Sequence, residues 1–249
     1  MKKVIEIKNL NYSYQNGNFK LKDINLDIYE NETFGIIGPN GSGKTTLILN
    51  LNGILIGNGE IKILEIKINR KNINEIRKKI GIVFQNPDDQ LFSLTVFDDV
   101  AFGPLNLGLD KENIIDRVNE ALKEVNMIDF INYFPEHLSF GEKKKISIAT
   151  VLSMKPDIMI FDEPTIGLDP HSRKNLLNIL KNLKGTKIIA SHDLDMIYEL
   201  CDRVVLINDG KIIKIGEKNE ILLDKKLLED NFLEVPLTAI LKKNLTNKN

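Results

Sequence analysis

The sequence lacks most features of secreted, membrane-spanning or nucleic-acid-binding proteins. Cys201 is the one cysteine among 249 residues, so no disulfide can form within the chain, which suits a reducing cytosol. We expect its side chain to be small, buried and apolar in character. With 34 basic and 35 acidic residues the net charge is -1, and we expect no nucleic-acid partner held by bulk electrostatic attraction.

Long hydrophobic runs are also absent. No apolar run approaches the roughly 18 residues of a membrane span. The segment Met1-Lys2-Lys3 leads into an alternating strand pattern and not into a signal peptide. We therefore expect no direct lipid insertion, and any work at a membrane would require another chain to hold this one there.

Two strand patterns predict two kinds of sheet. VIEIKNLNYSY and LKDINLDIY alternate apolar and polar residues, as half-buried antiparallel strands do. From Thr33 onward, short and nearly continuous apolar runs predict strands buried on both faces of a parallel sheet: TFGII, IGIVF, DIMIF, TKIIA and RVVLI. Helical patterns separate most of these runs, so we predict a wound α/β core.

The spacing of these runs also predicts the domain organisation. A long stretch between IGIVF and DIMIF has no buried strand and contains an amphipathic helix at 111–126. We predict a core formed by 1–87 and 155–216, with a helical subdomain inserted at 88–154. Leu and Ile at helical spacings predict a C-terminal helical extension at 217–249, which ends in a Lys/Asn tail.

The segment GPNGSGKTT carries the clearest chemical motif. It matches G-x-x-x-x-G-K-[ST] directly after a buried strand and before a plausible helix, which is the context of a P-loop. Glycines let consecutive backbone N–H groups surround phosphates, Lys44 reaches the β- and γ-phosphates, and the Thr45 hydroxyl binds Mg²⁺. The predicted phosphate-binding residues are Gly38, Pro39, Asn40, Gly41, Ser42, Gly43, Lys44, Thr45 and Thr46.

Further polar residues follow the buried strands. In IMIFDEP, Asp162 can hold Mg²⁺ through water, and Glu163 is placed to orient and deprotonate an attacking water. Alternation along a strand would direct these two carboxylates to opposite sides. His192 follows TKIIAS, where open α/β sheets place ligands, although a lone histidine is often structural. Gln85 follows IGIVF and can contact Mg²⁺ or the attacking water; alone, it is equally consistent with an ordinary loop.

Together with LSFGE and GLDP, these motifs occur in the order of the ATP-binding-cassette (ABC) ATPases, which the chain resembles across 1–216. The resemblance implies a P-loop ABC ATPase fold with an antiparallel β-subdomain, an inserted helical subdomain and a C-terminal extension. It implies hydrolysis of ATP with Mg²⁺, and catalytic roles for Lys44, Gln85, Glu163 and His192. It also implies that Tyr14 stacks on adenine, with Tyr12 as the alternative; either ring can instead pack on the core.

In ABC ATPases, two domains face head to tail and share each nucleotide. The resemblance implies that Ser139 and Gly141 contact a γ-phosphate bound to a second ABC ATPase subunit, with a homodimer favoured over a heterodimer. Asp169 would lie at that interface, begin a helix, or do both. Glu142 stands where glutamine is usual, so it either contacts nucleotide or turns to the lysines that follow. Of the triplet at 143–145, at least two lysines are expected on a solvated helix face.

A narrower resemblance comes from FQNPDDQLFSLTVFDDVAFGPLNLGL at 84–109 and from LSFGEKKK. Both are similar to the energy-coupling factor ATPases, most of all the cobalt/nickel type, with the vitamin type as the alternative. A soluble non-transport ABC protein is less favoured, because paired cassettes, coiled coils and basic surfaces are not seen.

The same resemblance implies partners and a location. A membrane-embedded scaffold subunit would face 86–92, and a substrate-binding membrane subunit would complete the importer. The alternative for DDQLF is an exposed loop with two buried apolar residues. The chain would lie peripherally on the cytoplasmic face of the cell membrane, and its VPLTAIL segment would aid dimer contact.

Overall fold

The computed structural model describes residues 2–14 and 19–246. Along this part of the chain the strands are β1 (Lys3–Ser13), β2 (Phe19–Tyr29), β3 (Thr33–Ile37), β4 (Asn58–Ile63), β5 (Ile66–Lys67), β6 (Ile80–Val83), β7 (Ile158–Asp162), β8 (Thr186–Ala190), β9 (Arg203–Asn208) and β10 (Lys211–Glu217). The helices are α1 (Lys44–Leu51), α2 (Ile73–Lys79), α3 (Val96–Asn106), α4 (Lys111–Glu124), α5 (Phe140–Leu152), α6 (Pro170–Asn182), α7 (Leu194–Leu200), α8 (Lys218–Leu222), α9 (Lys225–Glu229) and α10 (Leu237–Thr246).

The chain forms two compact units. One contains Met1–Arg77 with Lys184–Asn249, and the other runs from residue 78 to residue 183. These limits differ from the expected boundaries at 87 and 155, so the division into a core and an inserted subdomain stays a prediction. The end of the expected Lys/Asn tail, 247–249, lies outside the described residues.

The first unit contains both kinds of strand that the sequence predicts. β1 pairs antiparallel with β2 and with β4, and β4 pairs antiparallel with β5. β3 lies between β8 and β9 and is parallel to both, whereas β10 returns antiparallel to β9. Every residue of β3 and β8 is buried, as their nearly continuous apolar runs predict. The alternating and the continuous patterns are thus both confirmed.

The second unit combines two parallel strands with helices. β6 and β7 are parallel and buried along their whole length. The long stretch between them contains α3, α4 and α5, which pack on one another. The helix expected at 111–126 is present as α4. Side-chain caps explain where the main helices of this unit begin, because the cap satisfies a backbone N–H of the first turn. These caps are Thr95 for α3, Asp110 for α4, Ser139 for α5 and Asp169 for α6.

The C-terminal extension is helical, as expected, and belongs to the first unit. α8 contacts β9 and β10, and α10 contacts α7. The backbone N–H and the hydroxyl of Thr238 both donate to Oδ1 of Asp195, each at 2.8 Å. This carboxylate fixes the start of α10 to the first turn of α7. Across 2–14 and 19–246, none of the helices has the length and apolar character needed to span a bilayer.

Candidate nucleotide site

The P-loop connects β3 to α1, and its backbone conformation requires glycine. Gly38, Gly41 and Gly43 have φ angles of 153°, 78° and 114°, in the region that side chains disfavour. At Gly38 a β-carbon would also lie 2.0 Å from the carbonyl oxygen of Ile207. The loop ends where α1 begins at Lys44, so the unpaired N–H groups of the helix start point into the loop.

Side chains of the loop fit a phosphate group. The Lys44 side chain is buried, and its Nζ donates to the carbonyls of Gly38 at 2.9 Å and Pro39 at 3.3 Å, which places a positive charge within the loop. The Ser42 hydroxyl is buried, and within the described part of the chain it has no hydrogen-bond partner. Buried polar groups are rarely left in this state, so an anion with several acceptor oxygens suits this loop.

The two threonines after Lys44 occupy different environments. Thr45 is exposed in the first turn of α1, where a hydroxyl can reach a metal ion beside the phosphates. Thr46 is buried, and its hydroxyl lies 3.3 Å from the hydroxyl of Tyr14. Tyr12 meets Tyr14 edge to face, with 5.1 Å between ring centroids. Tyr14 is therefore the tyrosine bonded to the P-loop helix; its stacking on adenine stays a prediction.

His192 lies near the P-loop in the same unit. It is exposed directly after β8 and Ser191, and Asp193 then caps α7 by accepting from Met196 N at 3.0 Å. Together with Pro39, Asn40 and the segment 232–237, His192 lines an open cavity of about 570 Å³. The structure thus brings this histidine to the edge of the phosphate-binding loop, although its predicted catalytic role is not tested by that position.

The acidic pair at the end of β7 differs from the expectation in one respect. Asp162 is the last residue of the strand, and Glu163 follows it with a φ of 45°. Both are buried. The expected alternation of the two side chains assumed a strand that continues through Glu163, and this assumption was wrong. Instead, a left-handed backbone sets the direction of the Glu163 side chain, a strained conformation that its surroundings must hold in place.

Lysines of α5 reach the loop that carries Gln85. The ammonium of Lys144 donates to the carbonyl oxygen of Gln85 and, at 3.4 Å, to that of Glu163. Burial lowers the pKa of Lys144 to about 8, while the Asp162 and Glu163 carboxylates oppose this shift. Lys143 bonds Asp88 at 2.7 Å. The expectation that at least two lysines of this triplet lie on a solvated face was wrong, because Lys144 is buried and its two neighbours are partly buried.

The signature turn, residues 139–142, is closed by hydrogen bonds of its own. Oε2 of Glu142 accepts from the Ser139 amide at 2.8 Å and from the Ser139 hydroxyl at 2.7 Å, while Glu142 N donates back to that hydroxyl at 3.4 Å. These bonds form a capping box at the start of α5 and hold the pKa of Glu142 below its ordinary value. The carboxylate thus turns to Ser139, an outcome that neither sequence alternative included.

Neighbouring side chains pack closely around this turn. A β-carbon at Gly141 would lie 2.8 Å from Oγ of Ser172, and the ring of Phe140 lies against Gly167. Asp169 is exposed and caps α6 by accepting from His171 N at 2.9 Å and Ser172 N at 3.0 Å. These bonds hold the pKa of the Asp169 carboxyl below its usual range. The capping role of Asp169 is therefore confirmed, and its role at an interface stays a prediction.

The predicted residues divide between the two units. The P-loop, Tyr14 and His192 belong to the first, and the remaining ones belong to the second: Gln85, Ser139, Gly141, Glu142, Asp162, Glu163 and Asp169. Sequence reasoning missed Lys144 as a residue of the site. A usable signal was present, because Lys144 lies four residues before Ile148 and seven before Val151, on the face that α5 buries.

Comparisons with known proteins identify relatives of this chain. Residues 21–166 match the family model described as ABC transporter. An energy-coupling factor transporter ATP-binding protein, EcfA, of Carboxydothermus hydrogenoformans is 47% identical over 252 residues, which cover 100% of this chain and 93% of the relative.

Solved structures resemble most or nearly all of the chain. The structure of cbiO1 from Clostridium perfringens, described as part of the ABC transporter complex cbiONQ, has a TM-score of 0.83 and 39% identity, and the match covers 98% of this chain and 100% of that one. A dimeric ATP-binding cassette, MJ0796, in a post-hydrolysis state bound to ADP and Pi, has a TM-score of 0.78 and 29% identity. The match covers 86% of this chain and 98% of that one. The expected fold class is confirmed.

Proposed function

Because the chain belongs to the ATP-binding subunits of energy-coupling factor ABC transporters, we propose that the importer it powers takes up a transition metal ion, cobalt or nickel. The chain binds ATP with Mg²⁺ and hydrolyses ATP to drive transport. The observation that carries the energising role is the P-loop cradle, with Lys44 buried inside it and His192 at its edge. Support for the metal comes from the segments at 84–109 and 138–145, and from the similarity to cbiO1.

The proposed chemistry is in-line attack of water on the γ-phosphorus, which breaks the bond from that phosphorus to the leaving ADP. The loop N–H groups and Lys44 hold and partly neutralise the phosphates. Thr45, Asp162 and Gln85 would hold Mg²⁺, which would supply positive charge to offset that of the phosphates. Glu163 orients the attacking water and accepts its proton, and His192 contacts the γ-phosphate.

The signature turn is the reason for proposing a dimer. Each chain has one P-loop and one signature turn, and we assign Ser139 and Gly141 to the γ-phosphate bound by a second subunit. The helix dipole of α5 adds about 0.3–1 kcal/mol to such a contact. Asp169 would lie at the same interface. Similarity to a cassette solved as a dimer supports two subunits, and we favour two copies of this chain.

An exposed apolar cluster of the second unit supports a membrane scaffold as the next partner. Phe92 and Leu94 are 67% and 77% exposed, and Phe102 and Leu105 of α3 are exposed as well. The Phe92 and Phe102 rings meet edge to face at 4.9 Å. The buried carboxylate of Asp99 accepts from the amides of Phe92 and Ser93, at 3.1 and 2.9 Å, and so fixes the loop with Phe92 outward.

The alternative interpretation of DDQLF, as an exposed loop with two buried apolar residues, fits the structure only in part. That alternative expected two buried apolar residues, whereas Leu91 is buried and Phe92 is exposed. An exposed aromatic residue held by a buried carboxylate is suited to contact with a partner. We propose that this surface meets a membrane-embedded scaffold that also holds a substrate-binding subunit, with the ATPase peripheral on the cytoplasmic face of the membrane.

Transport in reconstituted vesicles tests the proposal. The chain would be co-expressed with the membrane subunits that co-purify with it, and ATP-dependent uptake of radiolabelled cobalt, nickel and a set of vitamins would be compared. We expect uptake of cobalt or nickel, and its loss when Glu163→Gln replaces the wild type. Uptake of a vitamin alone would assign the importer to the alternative type, and recovery of soluble partners only would contradict a transport role.

A further inference from the structure

Lys144 is a buried cation at the centre of the second unit. It is 1% exposed, among the largest fully buried side chains of the described residues. Burial of an ammonium group is unfavourable unless several acceptors replace water. The acceptors present are the two backbone carbonyls of Gln85 and Glu163, and the Phe140 ring adds a cation–π contact, with Nζ 5.7 Å from the ring centroid.

The two carbonyls belong to the residues whose side chains are assigned to Mg²⁺ and to the attacking water. Glu163 in particular has a left-handed backbone, with a φ of 45°, which is unfavourable for a residue with a side chain. Such a conformation persists when the surroundings fix the peptide on either side. A hydrogen bond from Lys144 to the Glu163 carbonyl fixes the peptide that follows the residue.

The Gln85 loop is tied to α5 at further points. Gln90 donates to the carbonyl of Ser147 at 2.8 Å and to the hydroxyl of Thr150 at 2.7 Å, and its own oxygen accepts from Phe84 N at 3.1 Å. Lys143 also forms an ion pair with Asp88, but the Asp88 side chain is 59% exposed, so this pair adds little to the hold on the loop. Of these contacts, the ones made by Lys144 reach both the Gln85 loop and Glu163.

We propose that Lys144 is a positioning residue for ATP hydrolysis: its buried ammonium joins α5 to the backbones of Gln85 and Glu163 and thereby sets the position of both side chains. The inference rests on the proposed roles of Gln85 and Glu163. Since α5 begins at the signature turn, a displacement of that helix by nucleotide on a second subunit acts directly on the chain's own hydrolytic residues. Phe140 strengthens this link, because its ring contacts both Lys144 and Gly167.

Steady-state kinetics of Lys144→Met tests the inference. Methionine matches the lysine side chain as far as Cε and keeps its apolar packing, but it removes the charge and the donors. A shift of catalytic groups by about 1 Å lowers rates by roughly 100-fold, so we expect kcat to fall by about 10- to 100-fold. The KM for ATP should stay within about twofold, because the P-loop is unchanged. Lys143→Met is the matched control: it removes the same charge one residue away, where the ion pair is with Asp88, and should keep the wild-type kcat.

A second variant, Lys144→Gln, tests the inference in case Lys144→Met does not fold. In Lys144→Gln the amide keeps donors but ends one bond short of the ammonium, so we expect a fall in kcat of roughly threefold to tenfold at unchanged KM. Unchanged kcat in either folded variant, or an equal loss in Lys143→Met, would overturn the inference. Glu163→Gln is measured in parallel. Full hydrolysis by that variant removes the proposed role of Glu163, whereas an inactive Glu163→Gln beside a fully active Lys144→Met removes the role of Lys144 alone.

Discussion

The carbonyl oxygen of Ile207 lies so close to Gly38 that a β-carbon there would come within 2.0 Å of it. This oxygen is a backbone atom and cannot move aside as the end of a flexible side chain could, and the φ of 153° also disfavours a side chain. We expect Gly38→Ala to lower the free energy of unfolding by about 2–4 kcal/mol through overpacking and backbone strain. Urea denaturation measures the change in unfolding free energy, and ATP-binding isotherms measure whether the altered loop still binds nucleotide.

Gly41→Ala is the matched control for this prediction. Gly41 also has a positive φ, 78°, but a β-carbon there would meet nothing within 4 Å. The unfolding free energy of Gly41→Ala should therefore fall only by the conformational strain of roughly 1–2 kcal/mol. Equal destabilisation by the two substitutions would show that the contact with Ile207 does not limit the loop.

Glu142→Gln is expected to change little. A glutamine oxygen can accept the Ser139 N–H in place of the carboxylate, so the start of α5 keeps its cap. ATPase activity should stay within about twofold of the wild type, and stability within about 0.5 kcal/mol. Glu142→Ala removes the acceptor and should lower the free energy of unfolding by about 1 kcal/mol. A large rise in the KM for ATP in Glu142→Gln would instead indicate contact with nucleotide.

The same residue gives a pH dependence with a definite sign. Hydrogen bonds from Ser139 hold the folded-state pKa of Glu142 below its ordinary value of 4.5. The ionised cap therefore stabilises the protein above pH 4.5, and this contribution is lost as the pH falls through the folded-state pKa. Glutamine does not titrate. In a urea series carried down through about pH 4, the wild type should therefore lose unfolding free energy relative to Glu142→Gln. A difference independent of pH would contradict it.

Glu163→Gln should separate binding from hydrolysis. The amide keeps the shape of the side chain but cannot accept the proton of the attacking water, so turnover should fall by about 100-fold or more. ATP binding should persist, and the purified variant in Mg²⁺-ATP should elute as a dimer from a sizing column. Glu124→Gln, at an exposed position of α4, is the control for the loss of one charge. A monomeric Glu163→Gln at saturating ATP would count against the shared nucleotide site.

Cys201 should be unreactive in the folded protein. Its thiol is fully buried, and burial raises its pKa, so almost no thiolate is present at neutral pH. Because it is the one cysteine in the sequence, iodoacetamide labelling followed by mass spectrometry reports a single site. We expect labelling only at urea concentrations that unfold the chain. Rapid labelling without urea would reveal local opening beside α7.

Patterns that depend on burial were predictable from the sequence. The runs TFGII and TKIIA predict buried parallel strands, and β3 and β8 are those strands. Glycine spacing and the flanking elements predict the P-loop, since few residues can adopt its backbone angles. The ABC fold and the energy-coupling factor family follow from the ordered motifs and are confirmed by the comparisons.

Features that depend on a particular hydrogen-bond partner were not predictable. Three adjacent lysines suggest a solvated face. Lys144 is nevertheless buried, because two carbonyls from distant segments accept hydrogen bonds from its ammonium group. The backbone leaves the strand conformation at Glu163, and the apolar run that ends at Phe161 does not indicate this change. Glu142 bonds Ser139, a choice set by the geometry of a helix start and not by the charges around it.

The bond between Ser139 and Glu142 has a consequence for how two subunits close. A hydroxyl has one proton, and that of Ser139 is directed at an ionised carboxylate of its own subunit. A γ-phosphate from the opposite subunit would first meet lone pairs, so it gains this donor only by displacing Glu142. If a γ-phosphate binds there, closure would exchange one charge-assisted hydrogen bond for another of similar strength. Two anions would then compete for the single proton of this hydroxyl, and nucleotide would contribute only the difference between the two bonds.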